Sequence, residues 1–171
     1  LYAIKLEGSG KIGERFVAIM GLRDPITLGY LDESIAWARN KVVERLGEPG
    51  ERHEYQVHYQ VYGRNGVMGY MEPNAKVTGH EVGIVVEGIA PDAAIAEEAC
   101  ALASRNLFYA RLPVVKGTAG NASFWSDEVI QARPGYTWTL NHLMPVSDPR
   151  ELFRFEYERV EAGAPSLAAA R

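Results

Sequence analysis

The sequence predicts an α+β protein built around an antiparallel sheet. Two observations carry this. Several stretches alternate apolar and polar residues with period two, and two others repeat apolar residues in steps of three and four. Their order is strand–strand–helix–strand–strand–helix–strand, followed by one element that is strand or helix.

Ile4 and Leu6 alternate with Lys5 and Glu7, and Gly8-Ser9-Gly10 reads as turn material. Phe16, Ala18, Met20 and Leu22 then share one face of a second strand, with Val17 and Ile19 on the other. The expectation is an N-terminal hairpin ended by Asp24-Pro25. Leu28, Leu31, Ile35, Ala38, Val42 and Leu46 mark the first amphipathic helix, closed by Gly47. Tyr55, Val57, Tyr59 and Val61 line one face of the next strand, and Gln56, His58 and Gln60 the other. Gly63 to Gly66 holds a turn, and Val67 to Tyr70 is read as extending the strand.

His80 to Ile89 is strand-like, with Val82, Ile84 and Val86 inward. Pro91-Asp92 opens the second helix, whose stripe is Ile95, Ala96, Ala99, Cys100, Ala103 and Leu107. A long loop of small residues from Leu112 to Arg133 precedes a strand in which Tyr136, Trp138, Leu140, His142 and Met144 alternate with Thr137, Thr139 and Asn141. Two main helices on one face of an antiparallel sheet satisfy this order, giving a ferredoxin-like core with an extra N-terminal hairpin. Residues 1–160 form one α+β domain in this reading, and residues 161–171 a flexible tail.

Composition narrows the function. The 171 residues are 47% hydrophobic and 23% charged, a globular balance rather than a disordered one. A net charge of −4 argues against a nucleic-acid partner. One cysteine excludes an internal disulfide, and no apolar run reaches the ~18 residues that span a bilayer. With no signal-peptide pattern, the expected compartment is the cytoplasm. Because Leu1 leads directly into strand-like sequence, the chain reads as a piece of a longer polypeptide or a processed subunit.

Several familiar patterns fail on context. Gly8-Ser9-Gly10-Lys11-Ile12-Gly13 matches G-x-G-x-x-G, but a strand follows where a dinucleotide site needs a helix. Val17-Ala18-Ile19-Met20 resembles the kinase V-A-I-K, with Met20 replacing the lysine. His80-Glu81 begins H-E-x-x-H, but Ile84 stands in for the second histidine, and no metal-ligand spacing occurs elsewhere. Cys100 falls on an apolar stripe and reads as a small core residue.

Three local features retain functional weight. Tyr62-Gly63-Arg64-Asn65-Gly66 is a tight turn able to present Arg64 and Asn65 to a carboxylate or phosphate. Lys116-Gly117-Thr118-Ala119-Gly120-Asn121 is a connecting loop or an anion-binding nest. His142 falls on the face of Trp138 and Leu140, where it is a core histidine or an acid–base group.

Taken in order, five stretches resemble the C-terminal part of the acyclic terpene utilization (AtuA-like) family. They are Phe16 to Pro25, Tyr62 to Gly69, His80 to Glu87, Thr118 to Asn121, and His142-Leu143-Met144. Family members are usually longer and carry an N-terminal α/β domain. The resemblance implies a catabolic enzyme acting on a branched carboxylic or hydroxy acid or its CoA thioester. It supplies no catalytic motif and no defined cofactor. Combined with the local features, it suggests hydro-lyase-like chemistry in which Arg64, Asn65 and Lys116 bind substrate, Asn121 orients a carbonyl and His142 moves a proton. No metal ligand is assigned. The alternative is a non-catalytic assembly domain that packs on an α/β partner domain or chain, within a homo- or hetero-oligomer and away from nucleic acid and membrane.

Overall fold

The computed structural model describes residues 2–74, 79–114, 121–148, 150 and 152–159. Five strands and three helices are described: β1 (Tyr2–Leu22), α1 (Pro25–Gly29), α2 (Leu31–Leu46), β2 (Gln56–Tyr62), β3 (Val82–Ala90), α3 (Ala93–Phe108), β4 (Ala122–Phe124) and β5 (Ile130–Val146). The strands lie in the order β2-β3-β1-β4, with β5 also pairing with β1. The chain divides into two compact units: Leu1–Gly8 with Trp138–Arg171, and Ser9–Thr137.

The expected ferredoxin-like core with an N-terminal hairpin is overturned. Among the described residues strand outweighs helix, 40% to 28%, and three helices accompany the sheet rather than two packed on one face. The expected hairpin is one continuous 21-residue strand. Its glycines serve close approach instead of a turn. A Cβ on Gly8 would stand 3.0 Å from Thr139 Oγ1 and 3.3 Å from Leu140 Cβ, so the missing side chain lets β5 lie against β1. The loop expected over 112–133 contains β4 and the start of β5, while the extension expected at Val67–Tyr70 is a turn and a 3₁₀ helix over Gly69–Met71. Among the described residues of 152–159 there is no regular element.

In the 9–137 unit, both helix starts follow from local chemistry. The Asp24 carboxylate accepts from Thr27 N and Thr27 Oγ1, both at 2.7 Å, which caps α1 behind Pro25. Asp92 accepts from Ala94 N at 2.8 Å and Ile95 N at 3.1 Å and caps α3. Gly47, at φ 85°, closes α2, and Tyr55 Oη donates to its carbonyl at 2.6 Å.

β3 pairs antiparallel with β1 from Glu14↔Ala90 to Leu22↔Val82, and with β2 from Gln56↔Ile89 to Tyr62↔Gly83. Phe16, Ala18, Met20 and Leu22 of β1 are buried with Val82, Ile84 and Val86 of β3 and Val57 and Val61 of β2. α3 covers β3 and reaches β2, and α2 packs on α3. Small residues bring α3 close. Ala96, Ala99, Cys100 and Ala103 are fully buried, and a Cβ on Gly88 would fall 2.4 Å from Ala96 O and 2.6 Å from Cys100 N. Burial pushes the Cys100 thiol up to about 12, in keeping with a core role.

Gly88→Ala therefore forces α3 away from the sheet. A loss of about 1–3 kcal/mol in folding stability is expected from such overpacking, read as a lower urea midpoint with an unchanged slope.

Candidate functional site

The pleat divides β1, β2 and β3 into two faces. α3 covers the face carrying Gly88; Arg15, Val17, Ile19 and Gly21 of β1 lie on the other. Gly83, Val85, Glu87 and Ile89 of β3 share that second face with Gln56, His58, Gln60 and Tyr62 of β2. Glu87 stands directly between His58 and Val17 in the ladders. Its side chain is 12% exposed. One carboxylate oxygen accepts from Arg15 Nη1 at 3.0 Å, the other from Gln60 Nε2 at 3.3 Å. Arg15 Nε also donates to the Arg133 carbonyl at 3.0 Å, which holds the guanidinium in place. His58 and Gln56 hydrogen-bond through their side chains at 3.2 Å. The result is a polar array across three strands: a nearly buried carboxylate with an imidazole in the directly opposed position, about 5 Å away at Cβ.

At the other end of these strands the aromatic Trp125 replaces polar chemistry. Gly21 and Gly83 are cross-strand partners. A Cβ on Gly21 would lie 2.3 Å from the Trp125 ring, and one on Gly83 would lie 3.2 Å from it. The indole thus covers the glycine pair, held by Trp125 N donating to Ile19 O at 2.8 Å. Beside it is a cleft of about 180 Å³ lined by Arg23, Glu81, Asn121, Ser123 and Trp125, among others. Arg23 and Glu81 bring opposite charges to its wall, and Trp125, 62% exposed, brings an apolar plate.

The residues singled out from sequence fall on different elements. Asn121 does line this cleft; its carbonyl accepts from Arg23 N at 2.9 Å and Asp24 N at 3.4 Å, fixing the exit from β1. Arg64 forms a two-pronged pair with Asp32, Nη1–Oδ1 2.8 Å and Nη2–Oδ2 2.6 Å. The carboxylate that this guanidinium grips is thus supplied by the first turn of α2. Asn65 shapes the turn: its amide donates to Val61 O at 3.1 Å, and its carbonyl accepts from Gly69 N at 2.8 Å. His142 lies on β5 in the other unit and is exposed, as are Trp138 and Leu140 on the same strand face. Lys116 falls outside the described residues.

The sequence reading missed Arg15 and Glu87. Glu87 carried a legible signal, since it interrupts an otherwise apolar strand. Arg15 carried none, because its partner is 72 positions away. Among the described residues no three His, Cys, Asp or Glu side chains gather as a metal site, and no helix is long and apolar enough to cross a membrane.

No family model matches the chain, and neither does any curated protein or solved structure.

Removing one partner of the Glu87 array leaves the other poorly solvated. Glu87→Ala is expected to cost about 1–3 kcal/mol in a urea titration, and the double variant Arg15→Met/Glu87→Leu to recover most of it. The Asp32–Arg64 pair makes a separate prediction. The Arg64 guanidinium, by hydrogen bonding, holds the Asp32 carboxyl below its ordinary range. A depressed folded value adds stability above the unfolded value of about 4, which is lost as pH falls through the folded one. Asp32→Asn should therefore flatten the acid limb of thermal stability below about pH 4, with a small amplitude because Asp32 is well exposed.

Proposed function

We propose that this chain is an assembly domain of a cytoplasmic catabolic enzyme of the acyclic terpene utilization type, packing on an α/β partner domain or chain and on other protomers. The enzyme acts on a branched carboxylic or hydroxy acid or its CoA thioester, and this chain supplies part of the scaffold around that chemistry. The enzyme context rests on the sequence resemblance.

The observation that carries the assembly role lies in the unit of Leu1–Gly8 and Trp138–Arg171. Its strand segments, 2–8 of β1 and 138–146 of β5, leave large apolar side chains in solvent: Tyr2 is 63% exposed, Trp138 68% and Leu143 65%. Phe153, Phe155 and Tyr157 in the same unit are exposed as well. Two paired strands alone are marginally stable in water, and clustered exposed apolar groups belong to surfaces that meet a partner.

A second reading has its own support in the Glu87 array. A carboxylate and an imidazole on neighbouring strands are the groups an elimination of water uses, one to remove a proton and one to protonate the leaving hydroxyl. On that reading Glu87 and His58, rather than His142, face the substrate.

Sedimentation velocity over a wide concentration range tests the assembly role. Mass above the 18.9 kDa of one chain is expected. Trp138→Ser with Leu143→Ser should weaken association while leaving the folded spectrum intact. A chain that stays monomeric throughout overturns it. Turnover of the complete enzyme by Glu87→Gln separates the two readings, since only the second requires a large loss.

A further inference from the structure

Among the described residues the N-terminal strand has one edge without a strand partner. β3 ends against β1 at the Glu14↔Ala90 pair, and β4 meets β1 only at Met20–Leu22. Among the described residues, segment 2–8 of β1 pairs with β5 alone. Its opposite edge carries no ladder partner among those residues, and the segment has no proline to block pairing.

The side chains on this segment are self-complementary in one register. Lys5 and Glu7 project on one face, exposed and salt-bridged to each other; Ile4, Leu6 and Gly8 are half-buried on the other. In an antiparallel pair of two identical strands related by a two-fold axis, partner positions sum to a constant. A sum of 12 sets Leu6 against Leu6, Ile4 against Gly8, and each Lys5 against a Glu7. Moving the axis one residue sets Lys5 against Lys5 or Glu7 against Glu7, which like charge opposes.

We propose that a second copy of this chain adds to the free edge of β1 over Ile4–Gly8, antiparallel and centred on Leu6. The proposal rests on the assembly reading above and names its partner as the chain itself. Charge complementarity selects the copy and the register.

Lys5→Glu and Glu7→Lys test it. Either variant alone places two like-charge pairs in the dimer and is expected to weaken association about tenfold. An equimolar mixture of the two restores both opposite pairs and should recover the wild-type affinity as a heterodimer, resolved by native mass spectrometry. Damage to the Lys5–Glu7 pair within each chain is not repaired by mixing, so recovery reports the contact between copies. Leu6→Cys should also cross-link to its own copy under mild oxidation, faster than Lys5→Cys, since the one native thiol, Cys100, is buried. Association unmoved by both reversals, or a mixture no tighter than either variant, overturns the proposal and leaves the assembly reading standing. A wild-type chain monomeric at every concentration overturns both.

Discussion

The seating of α3 on β3 at Gly88 is the constraint on which the 9–137 unit depends. The helix backbone comes so near that even a methyl group would collide with Ala96 O. Only one face of β3 offers that space. With Gly88, Val86, Ile84 and Val82 turned toward the helix, strand alternation sends Glu87, Val85 and Gly83 the other way. A slip of one residue would put the Glu87 carboxylate under α3 and expose the valines, so packing and register specify each other.

The polar array follows from that register. Once β3 is fixed, its ladders with β1 and β2 place Arg15 and Gln60 within reach of both oxygens of Glu87 and set His58 opposite it. A carboxylate so covered needs its hydrogen bonds, and three strands supply them. The glycine pair Gly21 and Gly83 plays the complementary part farther along the same face. It clears a flat floor on which Trp125 rests and beside which the cleft opens. One sheet face thus carries polar chemistry at one end and an aromatic plate at the other.

The strand segments of the remaining unit obey a different balance. Among the described residues of that unit no helix covers them as α3 covers β3, and their tyrosine, tryptophan and leucine side chains stay in solvent. Apolar groups held in that way lower the free energy of the chain when another surface covers them. Under the proposed assembly role, the exposed aromatics of β5 and, among the described residues, the open edge of β1 are the surfaces that a partner covers.

The sequence by itself determined the local elements. The spacing of Leu31, Ala38, Val42 and Leu46 specified α2, Asp92 and its downstream stripe specified α3, and the alternation in Gln56–Tyr62 and Val82–Ala90 specified β2 and β3. Those signals are properties of neighbours in the chain. Tertiary structure decided what neighbours do not encode. Gly8-Ser9-Gly10 has turn composition, yet it runs straight because β5, more than a hundred residues later, packs against it. Arg64 looked ready to grip a ligand, and Asp32 of α2 occupies its fork. Arg15 and Glu87 became partners only when strands 72 positions apart were laid side by side. Periodicity reports which face of an element is apolar; only the folded chain reports which distant face it meets.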